Sequence, residues 1–348
     1  MKIKGQFCYT NANGEDIYQF TLTNYKGTAV TISNYGAIIT SYKIMQSNGN
    51  WNDIVLGFEK MEDYLHPDYI SNYPWFGAAI GRYGNRIKDG SITIDGVHYQ
   101  LSKNDKNNQL HGGREGFDKK TWEVVEVDGA KLHLAYTSPD GEEGYPGNLF
   151  VEVIYQLGDD DALTYEFRAS CDKPTAVNLT HHSYFNLDNG EGTIKEHFLR
   201  IYAQHVLEQD PDLVVTGKLL PVKDSTFDFT SPKMISRDWD ETKGYDQSFD
   251  TGKKDQSFSL MAEAWSRKSG IKLEVWSTEP VVHFYSGVWI PDVVGKNEIT
   301  YVPFSGFCLE TQIHPNAINI PEFPSTILRP GENYYHKTTY RVSAADLK

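Results

Sequence analysis

Residues 149–170 read LFVEVIYQLGDDDALTYEFRAS. Leu149–Leu157 is a β-type run, Gly158-Asp159-Asp160 is turn chemistry, and residues 162–170 form a second β-type run. Tyr and Phe, frequent in both arms, favour strands. The same unit, a short β-type run closed by a turn, recurs on both sides. Upstream it covers residues 28–44 and 132–137. Downstream it covers 177–187, 271–276, 281–290, 306–313 and 334–342. The punctuation is Ser47-Asn48-Gly49, Asp95-Gly96, Asp140-Gly141, Asn189-Gly190 and Pro330-Gly331. Strands at this spacing, with no helices alternating between them, predict an all-β fold: a large antiparallel sandwich or barrel. Residues 257–266 (SFSLMAEAWS) contain helix formers, but Arg267-Lys268-Ser269-Gly270 and IKLEVWSTEP follow. They read as the first arm of a hairpin, with tertiary context overriding propensity. Few short helices are expected, the clearest at residues 61–66.

The chain has 348 residues, with no repeat and no Pro- or Ser-rich linker, so 1–348 reads as a single domain. Its net charge of −14 argues against a nucleic-acid partner and against an anionic membrane face. No apolar run is long enough to cross a bilayer, and residues 1–16 (MKIKGQFCYTNANGED) lack the apolar centre of a signal peptide. The three cysteines, Cys8, Cys171 and Cys308, are far apart and form no C-x-x-C. A reducing, cytoplasmic location is the expectation.

No G-x-G-x-x-G, P-loop, G-x-S-x-G or H-E-x-x-H is present. Chemistry must come from side chains without those devices. In residues 76–90, FGAAIGRYGNRIKDG, Arg82 and Arg86 sit among glycines that let backbone approach a ligand closely. Composition alone equally fits a surface turn with solvated arginines. In residues 107–117, NNQLHGGREGF, His111 precedes two glycines in a loop. In residues 177–187, VNLTHHSYFNL, His181 and His182 are neighbours in a strand. Successive strand side chains face opposite ways, so at most one of them serves a given site. In residues 306–315, GFCLETQIHP, alternation puts Cys308, Glu310 and Gln312 on one face and Phe307, Leu309 and Thr311 on the other. A carboxylate in such company is costly unless paired. That suits a general base, and it suits a structural ion pair as well. Asp246, after Gly244-Tyr245, has the look of a turn residue.

Read together, nine segments resemble the aldose 1-epimerase (galactose mutarotase) family, in the family's order and over nearly the whole chain. They are NYGAIITS, DIVLGFEKMEDY, FGAAIGRYGNRI, QLHGGREGFDKKTW, SPDGEEGYPGNL, NLTHHSYFNL, GYDQSF, STEPVVHFYSG and GFCLETQIHPNAIN. The resemblance implies an antiparallel β-sandwich of galactose-mutarotase type with an open sugar cleft. It implies Glu310 as the general base on the anomeric hydroxyl and His182 as the general acid on the ring oxygen. His111 is implied as a second imidazole near the ring oxygen, with Arg86, Asp246 and Asn85 as ligands of sugar hydroxyls. No cofactor and no metal are implied, the partner is a free monosaccharide, and the chain is expected as a monomer or homodimer. Three positions depart from the family's habit: Gln247 where His is often found, His283 where Gln is common, and Asn316 where Asp is common.

Mutarotation opens a hemiacetal, so a base and an acid act on two oxygens together, each contributing about 10²–10⁴-fold. Neighbouring carboxylates are expected to favour the imidazolium form of His182. One rival is a sugar-phosphate epimerase using Lys88, Arg114, Lys119 and Lys120 at the rim. Another is a carbohydrate-binding module without turnover. A glycoside hydrolase fits less well, because it needs paired carboxylates.

Overall fold

A computed structural model describes residues 5–45 and 49–345. Ser47 and Asn48 of the first expected turn lie outside them. The hairpin expected at 149–170 is present: Leu149–Leu157 and Ala162–Cys171 pair antiparallel, with Val153 opposite Phe167. In the first arm Leu149, Val151, Val153, Tyr155 and Leu157 are buried, and Phe150 between them is exposed. That two-residue period is what a strand with one face on a core requires.

This hairpin lies within a nine-stranded sheet running from Glu123–Asp128 through Tyr334–Ala344, its central strand, to Lys233–Met234. A six-stranded sheet and a five-stranded sheet accompany it. One apolar cluster joins all three: Val151 and Phe167 from the first, Phe284 and Leu309 from the second, and Leu22 and Ile32 from the third. Each such side chain removed from water contributes roughly 1.5–3 kcal/mol. The architecture is the predicted all-β sandwich.

Residues 259–265 form a strand, Ser259–Trp265, paired with Ile271–Ser277, so the helix formers there are overruled by the hairpin. Met61–Leu65 is a 3₁₀ turn leading into the short helix Pro67–Ile70. Two expected runs are each broken in two. Residues 28–44 contain Ala29–Ser33 and Ile39–Met45, separated where Ala37 takes a positive φ of 47°. Residues 177–187 contain Thr180–His181 and Tyr184–Phe185, which join different sheets. No helix among the described residues is long and apolar enough to cross a membrane.

Phe307–Gln312 lies inside the six-stranded sheet, between Tyr184–Phe185 and Val281–Tyr285. Phe307 and Leu309 enter the shared core, as the alternation required. Glu310 points the other way, and that face carries the site.

Candidate active site

A cleft of about 510 Å³ is lined by Asn85, Arg86, His111, His182, Asp246 and Glu310, all six residues singled out in the sequence. Three neighbouring strands supply its floor. His283 on Val281–Tyr285 stands directly opposite Glu310 in register, and Ser248 on Asp246–Asp250 stands opposite His283. Asp246 begins its strand and is no turn residue.

The two histidines of residues 177–187 divide as the alternation demanded. His181 turns inward, with Nε2 3.1 Å from the Tyr155 hydroxyl and Nδ1 3.1 Å from the Ser183 hydroxyl. Burial drives its pKa down to about 3, so it is a neutral core residue. His182 faces the cleft, and its Nε2 lies 3.5 Å from Glu310 Oε1. Glu310 is 1% exposed, and its Oε2 has no hydrogen-bond partner. A buried carboxylate oxygen left open costs on the order of 1–3 kcal/mol. An oxygen of this kind can accept a hydrogen bond from a donor outside the protein. Behind His182, Cys308 Sγ is 3.5 Å from Nδ1. Burial, then the charge of Glu310, pushes that thiol well above its ordinary range and keeps its S–H.

The expectation that carboxylates hold His182 as imidazolium is corrected here. Burial lowers its pKa, and the opposing pull of Glu310 does not overcome it. The imidazole is enclosed by Trp75, His111 and Tyr184, whose rings lie 6.0, 5.0 and 5.0 Å away. They leave little water to solvate a charge.

His111 and Asn85 are held as a unit. Both backbones are left-handed, at φ of 52° and 60°. The His111 N–H donates to the Asn85 carbonyl at 3.1 Å, and the Asn85 N–H donates to His111 Nδ1 at 3.3 Å. The next residue must be glycine: a Cβ on Gly112 would collide with the Gly81 carbonyl. Burial, and then the charges of His182 and Arg86, hold the His111 ring well below its ordinary pKa. A neutral ring that accepts at Nδ1 carries its proton on Nε2. His111 is thus a hydrogen-bond donor. Donor atoms of His111, His182 and Glu310 lie within 4.8 Å of one another, a spacing that could hold a cation. The Asn85 N–H opposes this, because a metal on Nε2 needs the ring proton on Nδ1.

Arg86 and Arg82 separate sharply. Arg86 Nε donates to Asp105 Oδ2 at 2.7 Å, which fixes the guanidinium at the cleft wall. Arg82 is 2% exposed and is no solvated surface residue. It donates to the hydroxyls of Ser138 and Thr175 and to the carbonyls of Ser138, Pro139, Pro146 and Gly147. It ties loops together behind the site.

Asp246 accepts from His283 Nε2 at 2.9 Å. Burial would raise the carboxyl's pKa, but His283, with Arg86, outweighs it and lowers it. Burial would lower His283, but Asp246 outweighs it and raises it. Each partner therefore favours the charged form of the other. His283 was visible only as a departure at 283. Asp105, Trp75, Tyr285 and Trp289 also line the cleft and carried no signal. Of the rim cations considered, Arg114 and Lys119 reach the cleft; Lys88 and Lys120 do not.

Residues 18–341 match the family model described as aldose 1-epimerase. The galactose mutarotase of Homo sapiens is 41% identical over 321 residues, 91% of each chain. The aldose 1-epimerase of Escherichia coli K12 is 36% identical over 340 residues, 95% of this chain and 97% of that one. The crystal structure of the aldose epimerase homologue from C. elegans superposes with a TM-score of 0.87 at 30% identity, covering 99% of this chain and 100% of that one. By sequence and by fold, the chain belongs to the aldose 1-epimerase family of isomerases.

Proposed function

We propose that the cleft interconverts the α and β anomers of a free aldohexose, with Glu310 as general base and His182 as general acid. The observation that carries this is the 3.5 Å spacing of His182 Nε2 and Glu310 Oε1. The anomeric hydroxyl and the ring oxygen share one carbon. A base and an acid that serve both must stand side by side. Two carboxylates across a glycosidic bond stand further apart, roughly 5 Å or more.

Glu310 takes the proton of the C1 hydroxyl as the C1–ring-oxygen bond breaks, and His182 delivers a proton to the ring oxygen. The aldehyde turns about C1–C2, and closure on the other face reverses the transfers. Because burial lowers the His182 pKa, its imidazolium is a scarcer but stronger acid. His111, with Nε2–H, donates to the oxygens at C1. Arg86, Asp246 and Asn85 take hydroxyls around the ring. Aromatic walls at Trp75 and Tyr285 suit its C–H faces. Nothing in this sequence of steps moves electrons to or from the sugar, so the chemistry calls for no redox group.

Polarimetry on freshly dissolved α-D-glucose and α-D-galactose, beside the relaxation of α-D-glucose 6-phosphate, tests the substrate class. Faster equilibration of the free sugars supports the proposal. Acceleration of the phosphorylated sugar alone would move the assignment to Arg114 and Lys119 and a sugar-phosphate substrate. Sugar binding without acceleration would make the chain a binding protein.

A further inference from the structure

A cavity of about 490 Å³ lies apart from the cleft and shares no lining residue with it. One wall is Thr278-Glu279-Pro280, which joins Ile271–Ser277 to Val281–Tyr285. Glu279 is 2% exposed, yet its Oε2 has no hydrogen-bond partner. An ordinary structural carboxyl at such a depth would be paired. Here the nearest counter-charge, Lys253, gives its Nζ to the Ser277 carbonyl at 2.7 Å. Burial pushes the Glu279 carboxyl up to about 8 against the pull of Lys253. At neutral pH it therefore carries a proton and is able both to donate and to accept. Gln256, exposed at the rim, donates to the Tyr335 carbonyl, and the rings of Tyr334 and Tyr335 add partly covered aromatic surface.

We propose that this cavity is a second binding site, for a small neutral polyhydroxylated molecule of monosaccharide size, with Glu279 as its buried hydroxyl ligand. A carboxyl that gives and takes a hydrogen bond matches a pair of adjacent hydroxyls. Tyrosine faces match the C–H side of a sugar ring. The lining mixes Lys253 and Lys254 with Asp255 and Glu332, so no single sign favours an ion. The volume is close to that of the cleft, about 510 Å³. The assignment does not depend on turnover in the cleft.

The test is amide-resolved NMR of the full chain titrated with D-galactose and D-glucose. Expected are saturable shifts at residues 253–256 and 334–335, besides those around His111 and Asp246. Glu279→Met removes the unpartnered polar group while keeping an apolar side chain of similar length. It should weaken the first set about tenfold or more, as loss of a hydrogen-bonding carboxyl does, and leave the second set unchanged. Gln256→Ala, at an exposed position, gives a weaker loss in the same set and stands in if Glu279→Met does not fold. Silence at 253–256 and 334–335 at sugar concentrations that saturate the cleft would overturn the proposal. So would shifts that survive both variants, or shifts produced by acetate or methylammonium and by neither sugar. A cleft that ignores sugar while this cavity responds would count against the proposed turnover alone.

Discussion

His283 donates from Nε2 to Asp246 at 2.9 Å, and the same ring stands across the strand pair from Glu310. The bond ties the Asp246 carboxylate to the strand beside Glu310. It also makes that carboxylate's setting depend on pH. His283 has its pKa raised by Asp246, so its charge is complete below the ordinary value of 6.5 and is lost as pH rises through the raised value. KM for the sugar in the wild type should therefore rise on the alkaline side. His283→Gln should keep a KM that changes little with pH there. A wild-type rise that persists in His283→Gln would assign the ionisation elsewhere.

Asp246 binds and does not transfer protons in this account. Asp246→Ala should raise KM more than it lowers kcat. Steady-state polarimetry across sugar concentration separates the two parameters. A fall confined to kcat would place Asp246 in the chemistry.

Arg82 makes six hydrogen bonds, five of them buried, and does not line the cleft. Arg82→Ala should lower the free energy of unfolding by at least about 3 kcal/mol, since several buried carbonyls lose their donor. Urea titration reads the loss, and kcat per folded molecule should stay near wild type.

Much of this was legible in the sequence. The hairpin at 149–170 declared itself because its strands have one face on the core and end in a Gly-Asp-Asp turn. The alternation in Phe307–Gln312 put Glu310 opposite Leu309, as found. His181 and His182 could be separated only as a pair of opposites; which one faces the cleft followed from the family resemblance and then from the structure. Other features depend on contacts distant in sequence. Arg82 and Arg86 look alike in a glycine-rich loop, and only the carbonyls of Pro139, Pro146 and Gly147 distinguish them. Asp105 becomes a site residue because it meets Arg86. The balance at His182 departs from the expectation because it is buried by Tyr184 together with Trp75 and His111, which are distant in sequence.

Acid should destabilise the fold through histidines that are buried neutral. His181 and His336 fall to about 3 and His197 to about 4, against an ordinary 6.5. Each binds its proton more weakly folded than unfolded, so stability is full above 6.5 and is lost as pH falls towards those values. The urea midpoint should drop between about pH 6.5 and 4. His336 bonds Thr311, Thr338 and the Leu179 carbonyl, so His336→Gln should be less stable at neutral pH yet show a shallower drop. A drop as steep as the wild type's would remove His336 from the account.

The pairing of Glu310 with His182 is the centre of the proposal, and polarimetry of α-D-galactose with wild type beside Glu310→Gln tests it most directly. Gln keeps the size of the side chain and removes the base. The account predicts that the wild type accelerates equilibration and that the variant loses about 10²–10⁴-fold of that acceleration while remaining folded. A folded Glu310→Gln that equilibrates the sugar at the wild-type rate would contradict it.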